Sequence, residues 1–502
     1  MSWKVIWLSL KNADMRKKIL AVLGMLLIFR VMSHIPVPLS DPKTLKQVLD
    51  GLFTSKDTTN LFSFIDVLSG GALANFSIML VGLGPYINAS IIMQLLTKAI
   101  PRLEALNKEG EFGRKKINQY TRMLAFPLSI VQSIGAIYLL RQSAQRIAGV
   151  GDITAGTSIM QWVLMIAALS GGSMILMWLG ELITEHGLGN GISLVITVGI
   201  VSRLPATLGT LFNTVTDKTT AKLKIFNHDL PVSKSGLLTV GLIAGAAVIV
   251  TLLVVKLNEA SRKITINYAK RVQGNRSYGG VTTILPVKLI TAGVVPIIFA
   301  LAFLSVPSFL GQLLTTTNTS FRGLGSKLSL WFQNPTAQTL QQGGWTPYIY
   351  PLTYFFLVFL FTYFYTNITF NSKEIAENLQ KQGGFISGIR SGSETESYLG
   401  KIVNRLTLFG ALSLGILALL PIVAQLFISG SIAIGGTSVL ILVSVALETL
   451  RQIESRALMV TYDQYAASDY FQDREDEDMP KKRKGLARLF PARKAKGKKS
   501  TK

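Results

Sequence analysis

A long apolar run from Leu61 to Leu96 is broken near its start by Ser69-Gly70-Gly71. The piece before the break, Leu61–Leu68, contains Asp66 and falls far short of the roughly 20 apolar residues that a helix needs to cross a bilayer. The piece after it, Ala72–Leu96, is long enough to span. The pattern predicts a short half-helix with a polar tip, hinged by glycines onto a full span. Irregular backbone at membrane depth is tolerated only when it is buried in protein or lines a cavity. The break therefore points to a cavity.

Composition places the whole chain in the same class. Of 502 residues, 49% are hydrophobic and only 16% charged, which describes a polytopic membrane protein and not a soluble enzyme. Cysteine is absent, so disulfides, thiolate metal sites and Cys nucleophiles are excluded. His34, His186 and His228 lie apart, with no metal-ligand spacing, and no cofactor is expected. Ile19–Phe29 behind Arg16-Lys17-Lys18 could pass for a signal peptide. Arg30, His34, Pro36 and Pro38 follow it instead of a small-x-small cleavage site, so an uncleaved first span is expected.

Apolar runs give ten expected spans, an all-α membrane protein. The first five are near Ile19–Pro36, Ala72–Leu96, Tyr120–Leu140, Ile159–Ile183 and Ile192–Phe212. The second five are near Leu237–Val255, Leu285–Leu313, Pro351–Phe370, Leu406–Ile428 and Ile432–Leu450. The expected organisation is an N-terminal segment 1–18, a first half 19–212, an external connection 213–236, a second half 237–456 and a charged tail 457–502. Lys and Arg outnumber Asp and Glu by 51 to 27, a net +24. Basic residues crowd the loops after spans 2, 6 and 8, which puts both termini in the cytoplasm. Five spans in each half also permit an inverted repeat.

Ionisable residues are nearly absent from span centres; Arg30, Glu181 and Glu448 sit toward span ends. What the spans hold instead is paired aliphatics beside glycines. Leu83 and Ile87 are four apart near Gly82, Gly84 and Pro85; Ile192 and Ile196 repeat that spacing after Gly187–Gly191. A hydrophobic constriction of this kind can exclude water and ions by dewetting. Such pairs also arise in any lipid-facing helix, so spacing alone leaves the choice open. The long loops Glu109–Arg122 and Lys256–Arg276 hold Tyr120, Tyr268 and Tyr278 among their cations and suit an acidic partner such as RNA phosphate or an acidic protein face, although topology alone requires positive charge in these loops and in those near 256–284 and 371–405.

At these residues the chain resembles the bacterial SecY family. The resemblance rests on Gly70–Leu73, Pro85–Leu96, Glu109–Arg122, Met177–Glu181 with Gly187–Gly191, Asn267–Arg271 and Gly435–Ser438, in the family's order from Lys17 to Arg456. It implies a ten-span protein-conducting channel of the cytoplasmic membrane, with two inverted five-helix halves around an hourglass pore. Leu61–Ala74 would be its plug, carrying Phe62, Phe64, Ile65, Asp66, Leu68, Gly70, Gly71 and Leu73. The pore ring would fall on Leu83, Ile87, Ile192, Ile196, Ile298 and Ile441. A lateral gate between spans 2 and 3 and spans 7 and 8, with Asn88, Ile91 and Gln94 on span 2, would release transmembrane segments into lipid.

The resemblance further implies docking loops with Lys270, Arg271, Arg276 and Arg390, facing the ribosome or the SecA motor, and small membrane subunits SecE and SecG. Signal sequences and nascent polypeptides would be the cargo. Asn275 and Ser391 depart from the family's pattern there. The acidic run Asp473–Asp478 and the basic cluster Lys481–Lys502 lie beyond the resemblance and read as a solvated tail, or one touching anionic lipid. Two rivals stand beside this reading: a secondary transporter with broken helices, which mid-membrane charges would favour, and an insertion factor without a pore, which would need no plug.

Overall fold

The structure, a computed structural model, describes residues 13–37, 69, 72, 76–146, 157–187, 189–216, 222–225, 228–268, 271–273, 276–278, 280, 282–317, 321–333, 335, 344–427 and 436–467. Helices dominate. In chain order they are α1 Ala13–Met32, α2 Gly84–Ala99, α3 Pro101–Lys108, α4 Glu111–Arg146, α5 Ile159–His186, α6 Gly191–Val215 and α7 Lys234–Glu259. The series continues with α8 Val295–Thr317, α9 Arg322–Trp331, α10 Thr346–Thr369, α11 Ser372–Lys381, α12 Ser393–Phe427 and α13 Gly436–Ala467. Among the described residues, five helices are long and apolar enough to cross a membrane: those at Ile159–His186, Gly191–Asn213, Gly236–Glu259, Thr346–Lys381 and Ser393–Val423. The chain divides into a large unit, Leu20–Thr449, and a small one formed by the N-terminal segment through Ile19 and the chain from Leu450 onward.

Local chemistry explains many helix starts. Ser158 and Gln161 form a reciprocal capping box at the start of α5. Asn190 accepts from the Ile192 and Ser193 N–H groups to open α6, and Asn371 accepts from Glu374 N–H to open α11. Proline stands in the first turn of α2, α3 and α10, where its missing donor costs nothing.

Two expected spans are corrected. Ala72–Leu96 is not one helix, because α2 begins only at Gly84. Residues 78–83 are turns, Phe76 has φ 42° and Gly82 has φ 61°, left-handed conformations that no helix can pass through. The irregular backbone is satisfied by protein: Val37 N–H donates to Phe76 O and Ile78 N–H to Ile35 O, both at 3.0 Å, and Ser173 Oγ donates to Gly82 O at 2.9 Å. Phe76 and Leu80 pack with Val37, Ile137, Leu140, Met165 and Leu169 in a buried cluster. Likewise Leu285–Leu313 does not start as a helix. Leu285 lies in a strand, a turn follows with Gly293 at φ 62°, and α8 starts at Val295.

Among the described residues seven strands stand beside the helices: β1 Lys222–Ile225, β2 His228–Ser233, β3 Ser261–Tyr268, β4 Arg271–Gln273, β5 Arg276–Tyr278, β6 Thr282–Lys288 and β7 Gly384–Phe385. Within the expected connection 213–236, β1 and β2 form an antiparallel hairpin. At the far end, α13 continues through Ala467, so the start of the expected tail is helical.

Candidate functional site

Five of the six expected ring positions are sealed from solvent. Leu83 caps the start of α2 and Ile87 lies one turn on, 0% and 2% exposed. Ile196 in α6, Ile298 in the first turn of α8 and Ile441 in α13 are 1%, 5% and 3% exposed. Ile192 is half-buried and lies against α5, its Cγ1 3.6 Å from where a Cβ on Gly180 would stand. All six therefore occupy the first two turns of four helices. Of those helices, α2 and α8 pack directly on each other. Close by, Val254, Asn258, Ile290, Gly293, Leu440 and Ser444 help line a cavity of about 10 Å³, at the lower limit for a single water.

The α8 helix is held from both sides. Phe299 meets Phe361 and Tyr365 of α10 edge-on, with ring centroids 6.1 and 6.2 Å apart, and Phe303 meets Phe361 at 6.1 Å. On its other side α8 packs against α2 and α4. Asn88, Ile91 and Gln94 follow one another along α2: Ile91 is buried, and Asn88 and Gln94 are half-buried. Gln94 donates through Nε2 to Ser90 Oγ at 3.2 Å, inside its own helix, and its buried Oε1 has no hydrogen-bond partner among the described residues.

An ion pair that spacing does not reveal ties α4 to α5. Arg122 Nε donates to Glu181 Oε1 at 3.0 Å while Nη2 lies 2.7 Å from Oε2. The Nε contact is a charge-assisted hydrogen bond, whereas the closer Nη2 contact is an ion-pair contact that leaves the buried Oε2 without a hydrogen bond. Nearby, Ala89, Ala125 and Met177 form a small core with Tyr86, Leu124, Leu128 and Met174, so α2, α4 and α5 pack as a group. On the exposed α3, Lys108 Nζ lies 2.9 Å from Glu104 Oε1, and that bonded charge holds the Glu104 carboxyl below its ordinary range.

Parts of the two loops expected to dock partners share one sheet. The three-stranded antiparallel sheet has the order β6-β3-β7, joining the segment after α7 to the segment after α11. Asn267 pairs with Phe385 and Tyr268 with Gly384, and Asn267 Nδ2 donates to Ser387 Oγ at 2.8 Å. One face of the sheet buries Ile264, Ile266 and Val287 against Leu379, Ile386, Leu399, Ile402 and Val403. Burying each such side chain is worth roughly 1.5–3 kcal/mol relative to water. This core reaches Tyr268, ahead of the segment with Arg271 and Arg276, and Ile389, next to Arg390.

Arg390 is exposed at the end of this body. Its N–H donates to Glu394 Oε2 at 3.3 Å and its carbonyl accepts from Thr395 Oγ1 at 2.9 Å, so the start of α12 holds its backbone. Arg271 and Arg276 lie in the β4–β5 hairpin, where Arg271 pairs with Tyr278 and Gln273 with Arg276. Lys270 lies outside the described residues. So do the plug positions Phe62, Phe64, Ile65, Asp66, Leu68, Gly70, Gly71 and Leu73. No group of three or more metal-ligating side chains occurs among the described residues.

The SecY family model matches residues 77–450. The protein translocase subunit SecY of Streptomyces scabiei is 38% identical over 459 residues, covering 91% of this chain and 98% of that protein. The subunit of the same name from Corynebacterium glutamicum is 37% identical over 460 residues, with the same coverage. Among solved structures, a protein-conducting channel aligns with a TM-score of 0.54 at 19% identity, covering 86% of this chain and 90% of that one. Sec61 from the canine ribosome-channel complex aligns with a TM-score of 0.53, again at 19% identity over 86% and 90% of the two chains. At that identity the structural likeness speaks for the fold, while the sequence relatives carry the assignment: the chain belongs to the SecY family.

Proposed function

We propose that this chain is a passive protein-conducting channel, passing unfolded polypeptides through a waist formed by Leu83, Ile87, Ile192, Ile196, Ile298 and Ile441. One observation carries the reading: six aliphatic side chains lie at the N-cap or within the first two turns of four different helices, and five of them are closed to solvent. Branched aliphatic side chains can part around an extended chain and close behind it, and a dry apolar ring refuses ions by dewetting. The residues 61–74 are the plug that seals the idle channel. The ten spans form two inverted halves in the cytoplasmic membrane, with both termini in the cytoplasm.

The seam between α2 and α4 on one side and α8 and α10 on the other is the lateral exit for signal sequences and transmembrane segments. Transfer into lipid drives that step, at about 0.8 kcal/mol per CH₂. The β6-β3-β7 body with Arg271, Arg276 and Arg390 is the docking face for a ribosome or for the SecA motor. SecE and SecG are the expected membrane partners. The chain carries no P-loop sequence, so the work of pushing comes from its partners and the channel itself is not an enzyme. Cysteines placed at Ile87 and Ile298, in a chain with no native cysteine, test the waist. Both should crosslink to a stalled secretory polypeptide, and crosslinking to lipid alone would overturn the assignment.

A further inference from the structure

We propose that Phe309 and Gly135 form a knob and socket that sets how hydrophobic a segment must be before it leaves sideways, an inference that rests on reading the α4–α8 seam as the lateral exit. Gly135 is buried in α4, and Phe309 is half-buried in α8. A Cβ on Gly135 would overlap Cζ and Cε2 of the Phe309 ring and lie 2.8 Å from Cε1. The ring tip therefore sits directly on the bare backbone of α4, and no other residue type leaves room for it. A separation this short forces any added methyl to displace the ring or the helix that carries it.

Both helices are built to transmit that displacement. On the α4 side, a Cβ on Gly84 would lie 3.1 Å from Gln132 Oε1, so α2 and α4 are in close contact one turn from the socket. In α8, Pro307 lies inside the helix two residues before the knob. Proline removes a backbone hydrogen bond and weakens the helix at that point. Next to the knob, Ser308 is 1% exposed, and its Oγ has no hydrogen-bond partner among the described residues. The knob thus stands beside a turn of α8 in which proline interrupts the backbone hydrogen-bond ladder. Helices in lipid gain no hydrophobic drive from meeting each other, so tight contacts between small and large residues supply much of the closing force.

The test uses the full chain with its membrane partners, and reporter segments graded from alanine-rich to leucine-rich. Gly135→Ala and Phe309→Ala should each lower the leucine content at half-release by roughly one to two residues. In the Phe309→Ala background the added methyl has no ring to strike, so Gly135→Ala should produce no further shift. An equal shift from Gly135→Ala with and without Phe309, or no shift at all, would overturn the proposal. If Gly135→Ala fails to fold while the double variant folds, the clash itself is demonstrated; if the double variant also fails, the contact is general packing and the proposal is wrong. A parent protein that releases no reporter at any leucine content would instead refute the lateral exit.

Discussion

Asn267 and Ser387 stand 120 residues apart in the chain, and a 2.8 Å hydrogen bond joins them at the edge of one small sheet. The bond is exposed and worth only about 1 kcal/mol. Its significance lies in what it marks: the segments after α7 and α11 share one sheet and one buried core. A partner gripping either segment therefore pulls on both, and through them on the helices that flank them.

Gly384 packs closely within that union. A Cβ there would lie 3.1 Å from Tyr268 Cε1 and 3.3 Å from Ile266 Cγ2. Gly384→Val should cost roughly 1–3 kcal/mol by overpacking. Limited proteolysis of residues 371–392 in native membranes should accelerate, while the membrane-spanning part stays protected. Asn267→Ala should do much less.

The pair Arg122 and Glu181 makes a second prediction. Glu181 is the more buried partner, with its side chain 14% exposed against 46% for Arg122. Arg122→Ala leaves that carboxylate without its cation and should cost about 1–3 kcal/mol, read as a lower Tm in detergent. Glu181→Gln in the same background should recover part of the loss by removing the stranded charge. Equal Tm values for all three proteins would mean that the pair contributes nothing.

Deleting Phe62–Leu73 tests the plug. The channel should then pass ions across a planar bilayer at a conductance clearly above that of the parent. Unchanged conductance would remove the plug assignment and leave the waist as the sole seal.

Arg390 offers a test of docking that does not disturb folding. Its side chain is exposed, while Glu394 and Thr395 hold only its backbone atoms. Arg390→Glu should therefore slow motor- or ribosome-dependent export severalfold with no change in Tm. A normal export rate would argue that the partner binds elsewhere.

The amino-acid order alone determined that this chain is helical and spans a membrane, because hydropathy is a local property that each run of side chains carries by itself. The helices α5, α6, α7, α10 and α12 stand where apolar runs predict them. The expectation that Leu83, Ile87, Ile192, Ile196, Ile298 and Ile441 ring a pore came only through the family resemblance; spacing by itself did not separate them from lipid-facing residues. The tertiary structure alone decided the rest. Residues 76–83 carry enough apolar side chains to pass for helix, yet left-handed backbone at Phe76 and Gly82 and bonds to Ile35 and Val37 stop it. The sheet that unites two loops, the tie from Arg122 to Glu181 and the seat of Phe309 on Gly135 each join residues remote in sequence. No periodicity records such pairs, because their energies come from contacts that exist only once the helices have packed.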